Sequence, residues 1–281
     1  MSRASKRGAA CVGLALLISS CAHHGMRIDP QTTLVWMRDI TLYEHPVEVH
    51  FARPRQGPGR RPLLLYATGD GGWRGKDKEL FEQLAALNYP VAGFSAPNYL
   101  KNLGYVADTT TPARLARDYE ALIAFAIKIL ELPPDTPVVL VGVSRGAGLE
   151  VVAAGQPIVR HRISGVLAIA LTKEEEYVRH YRLRRDQVIA GVPNRELVMV
   201  QTYEYLPRLS SLPVALIQST RDNYLPADKA RQLFGPDTHD RRLTPIVASN
   251  HSFKGAREQL YAEVARSLEW IDTFIARRSA S

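Results

Sequence analysis

Cysteine is almost absent from this 281-residue chain, which has only Cys11 and Cys21. Two thiols so near the amino terminus cannot staple a fold or build a thiolate metal cluster, so disulfide-framework and zinc-ribbon classes are excluded. No internal repeat or low-complexity tract points to a solenoid or fibrous architecture. The apolar stretch at residues 8–18 falls well short of the roughly 20 residues that a membrane-spanning helix needs. Charge of one sign is not concentrated either: the formal net charge is +8, or +5 without Arg3, Lys6 and Arg7. That mild excess of base fits solubility or weak attraction to anionic lipid, and nucleic acid is not an expected partner.

Those three basic residues followed by a short apolar stretch have the form of an export signal over residues 1–20. Leu17-Ile18-Ser19-Ser20-Cys21 resembles the lipobox at which bacterial lipoproteins are cleaved and acylated, and ordinary cleavage after Ala22 is the alternative. Several acyl chains on Cys21 would hold the protein on the periplasmic side of a bacterial membrane, the outer one before the inner, since stable anchoring takes more than one chain. Residues 21–33 then read as a tether. Residues 34–278 read as one α/β domain, a size that suits a single large sheet.

The apolar pattern predicts strands at 34–40 and 47–51 around a turn at 43–46, then at 63–66, 91–94, 138–141, 166–171, 214–219 and 245–248. Helices are expected at 76–87, 112–130, 147–156, 227–234 and 256–277. Strands alternating with helices imply a mostly parallel sheet with helices on both faces, preceded by an antiparallel hairpin. Residues 172–212 break the alternation with polar, Arg-rich and aromatic sequence. They read as a small insert or cap after the sixth strand.

The most informative stretch is Gly142-Val143-Ser144-Arg145-Gly146, placed between an apolar strand and a helix. A tight strand-to-helix turn lifts a serine hydroxyl out of the backbone, and glycines two residues to either side let the turn close. Ser144 is the candidate nucleophile. A hydroxyl needs a base within hydrogen-bond reach and a carboxylate that orients the base. In the α/β-hydrolase fold these follow in the order acid then histidine, on loops after later strands. Asp222 and His251 occupy such places, with Asp228 and His239 as the nearest competitors. Two backbone N–H groups must also receive the charge on a carbonyl oxygen. The amide of Arg145 and, from the glycine-rich turn Gly69-Asp70-Gly71-Gly72-Trp73, the amide of Asp70 are the candidates. The same turn lacks the lysine and hydroxyl of a phosphate-binding loop. No cofactor or metal is expected.

Three stretches, Gly69-Asp70-Gly71-Gly72-Trp73-Arg74 with Asp77, Thr111-Pro112 with Asp118, and the serine elbow, resemble the bacterial virulence protein VirJ and AcvB family of α/β-hydrolases. Arg145 and Gly148 depart from the family elbow, and Arg145 puts a cation beside the site. The resemblance implies an exported serine hydrolase. AcvB-like members are associated with removing the amino acid from aminoacylated phosphatidylglycerol, an ester at a membrane surface. For a lysyl group, Asp70 and Glu174 in the run Glu174-Glu175-Glu176 are candidate contacts, with Gly71 and Trp73 also lining the substrate; a solvated first helical turn is the other reading of the Glu run. The arginines at 179, 182, 184 and 185 face either anionic lipid or solvent. Tyr177, Tyr181, Tyr203 and Tyr205 either line an acyl pocket or pack within the insert. Two rival functions stay open: a hydrolase-like scaffold that binds an envelope protein partner, as suggested for VirJ-like proteins, and a peptidase or soluble carboxylesterase.

Overall fold

The order of burial along the strands already sorts the chain into layers. In the computed structural model, which describes residues 28–42, 45–57, 59, 61–103, 111–176 and 199–279, the runs LLLYA, VVLVGV and GVLAI form β3 (Leu63–Ala67), β5 (Val138–Val143) and β6 (Gly165–Ile169), almost wholly buried. Such continuous apolar runs are what parallel strands covered on both faces require. With β1 (Thr33–Leu42), β2 (His45–Pro54), β4 (Val91–Phe94), β9 (Val214–Ser219) and β10 (Arg241–Ile246) they make an eight-stranded sheet in the order β1-β2-β4-β3-β5-β6-β9-β10. The β1–β2 and β2–β4 pairs are antiparallel, and every other pair is parallel.

Alternate side chains leave the sheet on opposite faces. Leu65, Leu140, Ala168 and Leu216 meet a layer built by α3 (Pro112–Ile129), α4 (Arg145–Ala154) and α6 (Ala227–Phe234). Leu64, Val139, Leu167 and Ala215 meet α1 (Gly75–Ala86) and α7 (Arg257–Ser279). α3 starts where the sequence calls for it: Thr111 caps it by accepting the Arg114 N–H at 3.2 Å, with Pro112 in the first turn.

Several elements differ from expectation. α2 (Ala96–Leu103) was not foreseen; Pro97 falls in its first turn, where proline is tolerated. A short helix, α5 (Pro157–Arg160), was also missed. β10 covers 241–246 rather than 245–248, pairing in register from Arg241 opposite Val214 to Ile246 opposite Ser219. It is the edge strand, so arginines and Pro245 are tolerated and the apolar signal is weak. The Glu run is no helical turn: Glu174–Glu176 is β7, paired antiparallel with β8 (Met199–Gln201), and a 3-10 helix follows at Thr202–Leu209. The export signal, Cys21, most of the tether, Tyr177, Tyr181 and the four arginines of 179–185 lie outside the described residues.

One buried acid stands out. Glu150 of α4 is fully buried, and its carboxyl oxygens lie near the backbone of Ala67 and Val141, which lowers its pKa a little, without a well-aligned hydrogen bond among the described residues. Desolvation pushes its pKa well above the ordinary 4.5. A folded pKa raised in this way means that the folded state holds the proton more tightly, so the stability it confers is complete in acid and declines as pH climbs from the unfolded value toward the folded one. Glu150→Gln keeps the shape and removes the titration. Its melting temperature relative to the native chain is expected to rise between about pH 5 and about pH 8, as read by thermal melts at both; an unchanged gap would show that Glu150 does not titrate there.

Candidate active site

The carboxyl ends of β3, β5, β9 and β10 open on one edge of the sheet, where open α/β sheets place their ligands. Ser144 lies between the end of β5 and the start of α4 with φ 52° and ψ −116°, a left-handed backbone that a non-glycine residue rarely adopts. The flanking glycines explain how the turn closes. A Cβ on Gly142 would sit 2.5 Å from the Ala147 nitrogen, and one on Gly146 would sit 2.2 Å from the Ala67 carbonyl oxygen. Side chains at either position would push the helix off the sheet. The Ser144 N–H donates to Ile169 O at 2.8 Å and its carbonyl accepts from Gly148 N at 3.0 Å, so the serine is fixed on both sides.

His251, on the loop after β10, contacts both of the other candidates. Its Nδ1 is 2.7 Å from Asp222 Oδ2 and its Nε2 is 2.8 Å from Ser144 Oγ. A carboxylate only accepts, so Nδ1 carries the proton and Nε2 is left to accept from the serine hydroxyl. Asp222 is itself held. Its Oδ1 accepts the N–H groups of Tyr224 at 2.8 Å and Leu225 at 3.2 Å, and its Oδ2 accepts Gln218 Nε2 at 3.1 Å. The Tyr224 ring packs edge-on against the imidazole with centroids 4.8 Å apart. The competitors lie elsewhere: His239 is 81% exposed beside Asp240, and Asp228 is in the first turn of α6. Gln218 was missed, although a lone amide in the buried run VALIQS was a visible signal.

The glycine-rich turn lies against the elbow, where a Cβ on Gly69 would be 3.5 Å from the Ser144 Cβ. Buried Asp77 of α1 pins it, accepting the Gly69 N–H at 3.0 Å, and the turn closes with Gly72 N donating to Gly69 O at 3.0 Å. Burial raises the Asp77 carboxyl above its usual range, partly offset by the Gly69 N–H. Asp70 and Gly71 line a cleft of about 290 Å³ together with Lys76, Ser144, Asn223, Tyr224, Asn250, His251 and Ser252. Arg145 opens α4, so its amide lies at the positive end of that helix's dipole.

Two of the expected substrate contacts are placed otherwise. Trp73 is not in the cleft wall; its ring stacks on His50 with centroids 3.8 Å apart, meets Phe81 edge-on at 4.9 Å, and fills the space left by Gly93. The tryptophan is a packing residue because its turn folds back over the sheet. Glu174 is exposed on β7 and accepts Gln201 Nε2 at 2.9 Å, away from the cleft. Its neighbour Glu175 is the acid that approaches the site. Glu175 is buried in the hollow over Gly148 with its Oε2 3.7 Å from an Arg145 nitrogen. Burial raises its pKa, with Thr172 and Arg145 pulling it back down. Arg145 Nε also binds the Asp70 carboxylate, so one guanidinium ties the elbow to the glycine-rich turn and to β7. Tyr203 and Tyr205 pack rather than line the cleft: Tyr203 is buried, and Tyr205 lies under the Arg208 guanidinium and over Gly155. Among the described residues no cluster of three or more His, Cys, Asp and Glu side chains is placed to hold a metal ion, and no helix is long and apolar enough to cross a membrane.

Comparison with known proteins identifies the architecture. Est1E from Butyrivibrio proteoclasticus superposes with a TM-score of 0.60 at 13% identity, covering 84% of this chain and 99% of that one. A cold-adapted esterase from an Arctic intertidal metagenomic library gives 0.56 at 14% identity over 84% and 95% of the two chains. The thioesterase domain from the curacin biosynthetic pathway gives 0.54 at 15% identity over 84% and 99%. The fold is therefore the α/β-hydrolase fold. No curated protein matches the chain. The model of the family described as Bacterial virulence protein (VirJ) matches residues 62–182, the part that holds the GDGGW turn and the serine elbow, and the resemblance of this chain to the VirJ family of α/β-hydrolases rests on that stretch.

Proposed function

We propose that the chain is a serine hydrolase that cleaves a carboxylic ester. The observation that carries this reading is the unbroken series of contacts from Asp222 through His251 to the strained Ser144. Ser144 Oγ attacks the ester carbonyl while His251 Nε2 takes its proton. Asp222 keeps the Nδ1–H tautomer and stabilises the imidazolium that forms. The amides of Arg145 and Asp70 receive the negative charge on the carbonyl oxygen. His251 then returns the proton to the departing alcohol, and water repeats the steps to free Ser144.

The cleft narrows the substrate. Its wall is built of glycines, amides, hydroxyls, the His251 imidazole, one lysine and the Asp70 carboxylate, and its volume of about 290 Å³ is near the lower end for small-molecule sites. A small polar group fits it better than a long acyl chain. Aminoacylated phosphatidylglycerol has its scissile ester in a polar head group, and this is the substrate we infer, presented to a protein held on the periplasmic face of a membrane by acylated Cys21. The VirJ-family match and the lipobox-like sequence support that reading, and esterase and thioesterase titles among the structural neighbours support acyl-bond chemistry.

Three measurements test it. Ser144→Ala is expected to lower kcat on an activated ester on the order of 10^4-fold or more and to abolish labelling by a fluorophosphonate, with the melting temperature little changed; undiminished turnover disposes of the nucleophile. Asp222→Asn removes the group that fixes the imidazole tautomer, and a fall in kcat on the order of 10^4-fold is expected; a loss under about tenfold would assign the orienting role elsewhere. Cys21→Ser is expected to move the protein from the membrane pellet to the soluble fraction and to end incorporation of labelled fatty acid, whereas continued labelling would place the acyl chain on another residue.

A further inference from the structure

A lysyl group would need carboxylates such as Asp70 and Glu174 around it, but Glu174 lies away from the cleft and the wall carries a lysine. Lys76, in the first turn of α1, reaches the cleft and donates from Nζ to Ser252 Oγ at 2.7 Å, one residue from His251. Among the described residues no ion pair joins this ammonium, and its hydrogen-bond partner is a neutral hydroxyl. An ammonium has three donors, so Ser252 leaves it further capacity.

The acids around it are already engaged. Asp70 shares the cleft wall, but its carboxylate is bound by Arg145 Nε. Asp77 lies beneath the wall, buried against the Gly69 N–H, and the nearby Lys76 charge also helps to lower its pKa without forming an ion pair with it. Asp222 is behind the imidazole, with 0% of its side chain exposed. Glu79, on the same helix as Lys76, is held by Arg257 and by the Tyr261 hydroxyl at 3.1 Å. Glu175 is buried against Arg145. The remaining lining groups, Asn223, Tyr224, Asn250 and Ser252, are uncharged. An incoming group therefore meets the Lys76 ammonium, the Asp70 carboxylate already bound by Arg145, and several neutral donors.

We propose that this cleft selects esters bearing an anionic group, a carboxylate or a phosphate on the acyl or alcohol portion, and that Lys76 is the residue that reads it. The inference rests on the ester-hydrolase reading above and makes it more specific. A cationic group is disfavoured beside Lys76, so on an aminoacylated phospholipid the phosphodiester, rather than the amino group, lies against this wall. A charge-assisted hydrogen bond in a half-open cleft corresponds to roughly ten- to a hundredfold in kcat/KM.

The test compares three p-nitrophenyl esters on the full chain: the monoglutarate, the butyrate, and 4-(trimethylammonio)butyrate. The native protein is expected to favour the anionic ester over the neutral one about tenfold or more and to disfavour the cationic one, with the preference shrinking as salt rises to about 0.5 M. Lys76→Met should collapse the anionic-to-neutral ratio and Lys76→Arg should keep most of it, while Lys78→Met, on the exposed side of the same helix, leaves it unchanged. Lys76→Gln serves where the methionine variant does not fold. Equal rates on all three esters, or a ratio that Lys76→Met and Lys76→Gln do not alter, overturns the proposal and leaves the hydrolase reading intact. No hydrolysis of any ester, with no fluorophosphonate label on Ser144, sinks the hydrolase reading itself and the proposal with it. Glycerol 3-phosphate and phosphatidylglycerol vesicles are then compared as competitive inhibitors. Lys76-dependent inhibition by the soluble phosphate supports an anion on a free substrate, and by the vesicles alone an anion on a lipid head group. Inhibition by both that is indifferent to Lys76 counts against it.

Discussion

The site depends on two stretches of backbone touching. α4 leaves the end of β5 so close to β3 that position 146 has no room for a side chain, a Cβ there falling 2.2 Å from the Ala67 carbonyl oxygen. With the helix drawn in that far, the residue between strand and helix has only a left-handed conformation open to it, at a cost of about 1–3 kcal/mol. Ser144 takes it, at φ 52°. The cost is offset by the apolar packing of α4, where Leu149, Val151, Val152 and Ala153 are almost wholly buried. The Ser144 hydroxyl is thus held up by the core beneath it.

From that fixed point the rest of the site follows by parallel register. β6 separates β5 from β9, and β10 adds the next strand, so Asp222 and His251 approach Ser144 from loops on the same edge. Each loop is then held by its own bonds. Gln218 and the amides of Tyr224 and Leu225 fix the carboxylate, and Asn250 Oδ1 accepts the N–H groups of Ser252 at 3.0 Å and Lys254 at 3.1 Å to close the histidine loop. Arg145 makes the corresponding tie on the other flank, between the elbow, Asp70 and Glu175. The residue that follows Ser144 therefore sets how the glycine-rich turn sits against the elbow.

What was legible in the sequence was what is local. The elbow occupies five adjacent residues, and β3, β5, β6 and β9 are unmixed apolar runs, so strand, turn and helix could be read in order. Asp222 and His251 could be chosen because each follows a strand of the parallel sheet. β10 was misplaced because an edge strand with one covered face carries arginines and a proline. Trp73 was assigned to substrate because its motif is distinctive, but the distinctiveness comes from packing on His50 and Gly93, residues far along the chain. Lys76 with Ser252 and Arg145 with Asp70 are 176 and 75 residues apart, and no local pattern announces such pairs. Glu175 was passed over for Glu174 because strand alternation within the run became visible only once β8 was seen beside β7.

The walls of the cleft come from loop tips and one first helical turn, whereas Ser144 is anchored between β5 and the buried helix α4. Changes at Asn223, Tyr224 or Ser252 would therefore redraw what enters without loosening Ser144. Lysine and glutamate codons differ by one nucleotide, so the sign of the charge at position 76 could be inverted in one mutational step. Such an exchange would reverse the charge at the cleft mouth while the elbow and the loops of Asp222 and His251 keep their places.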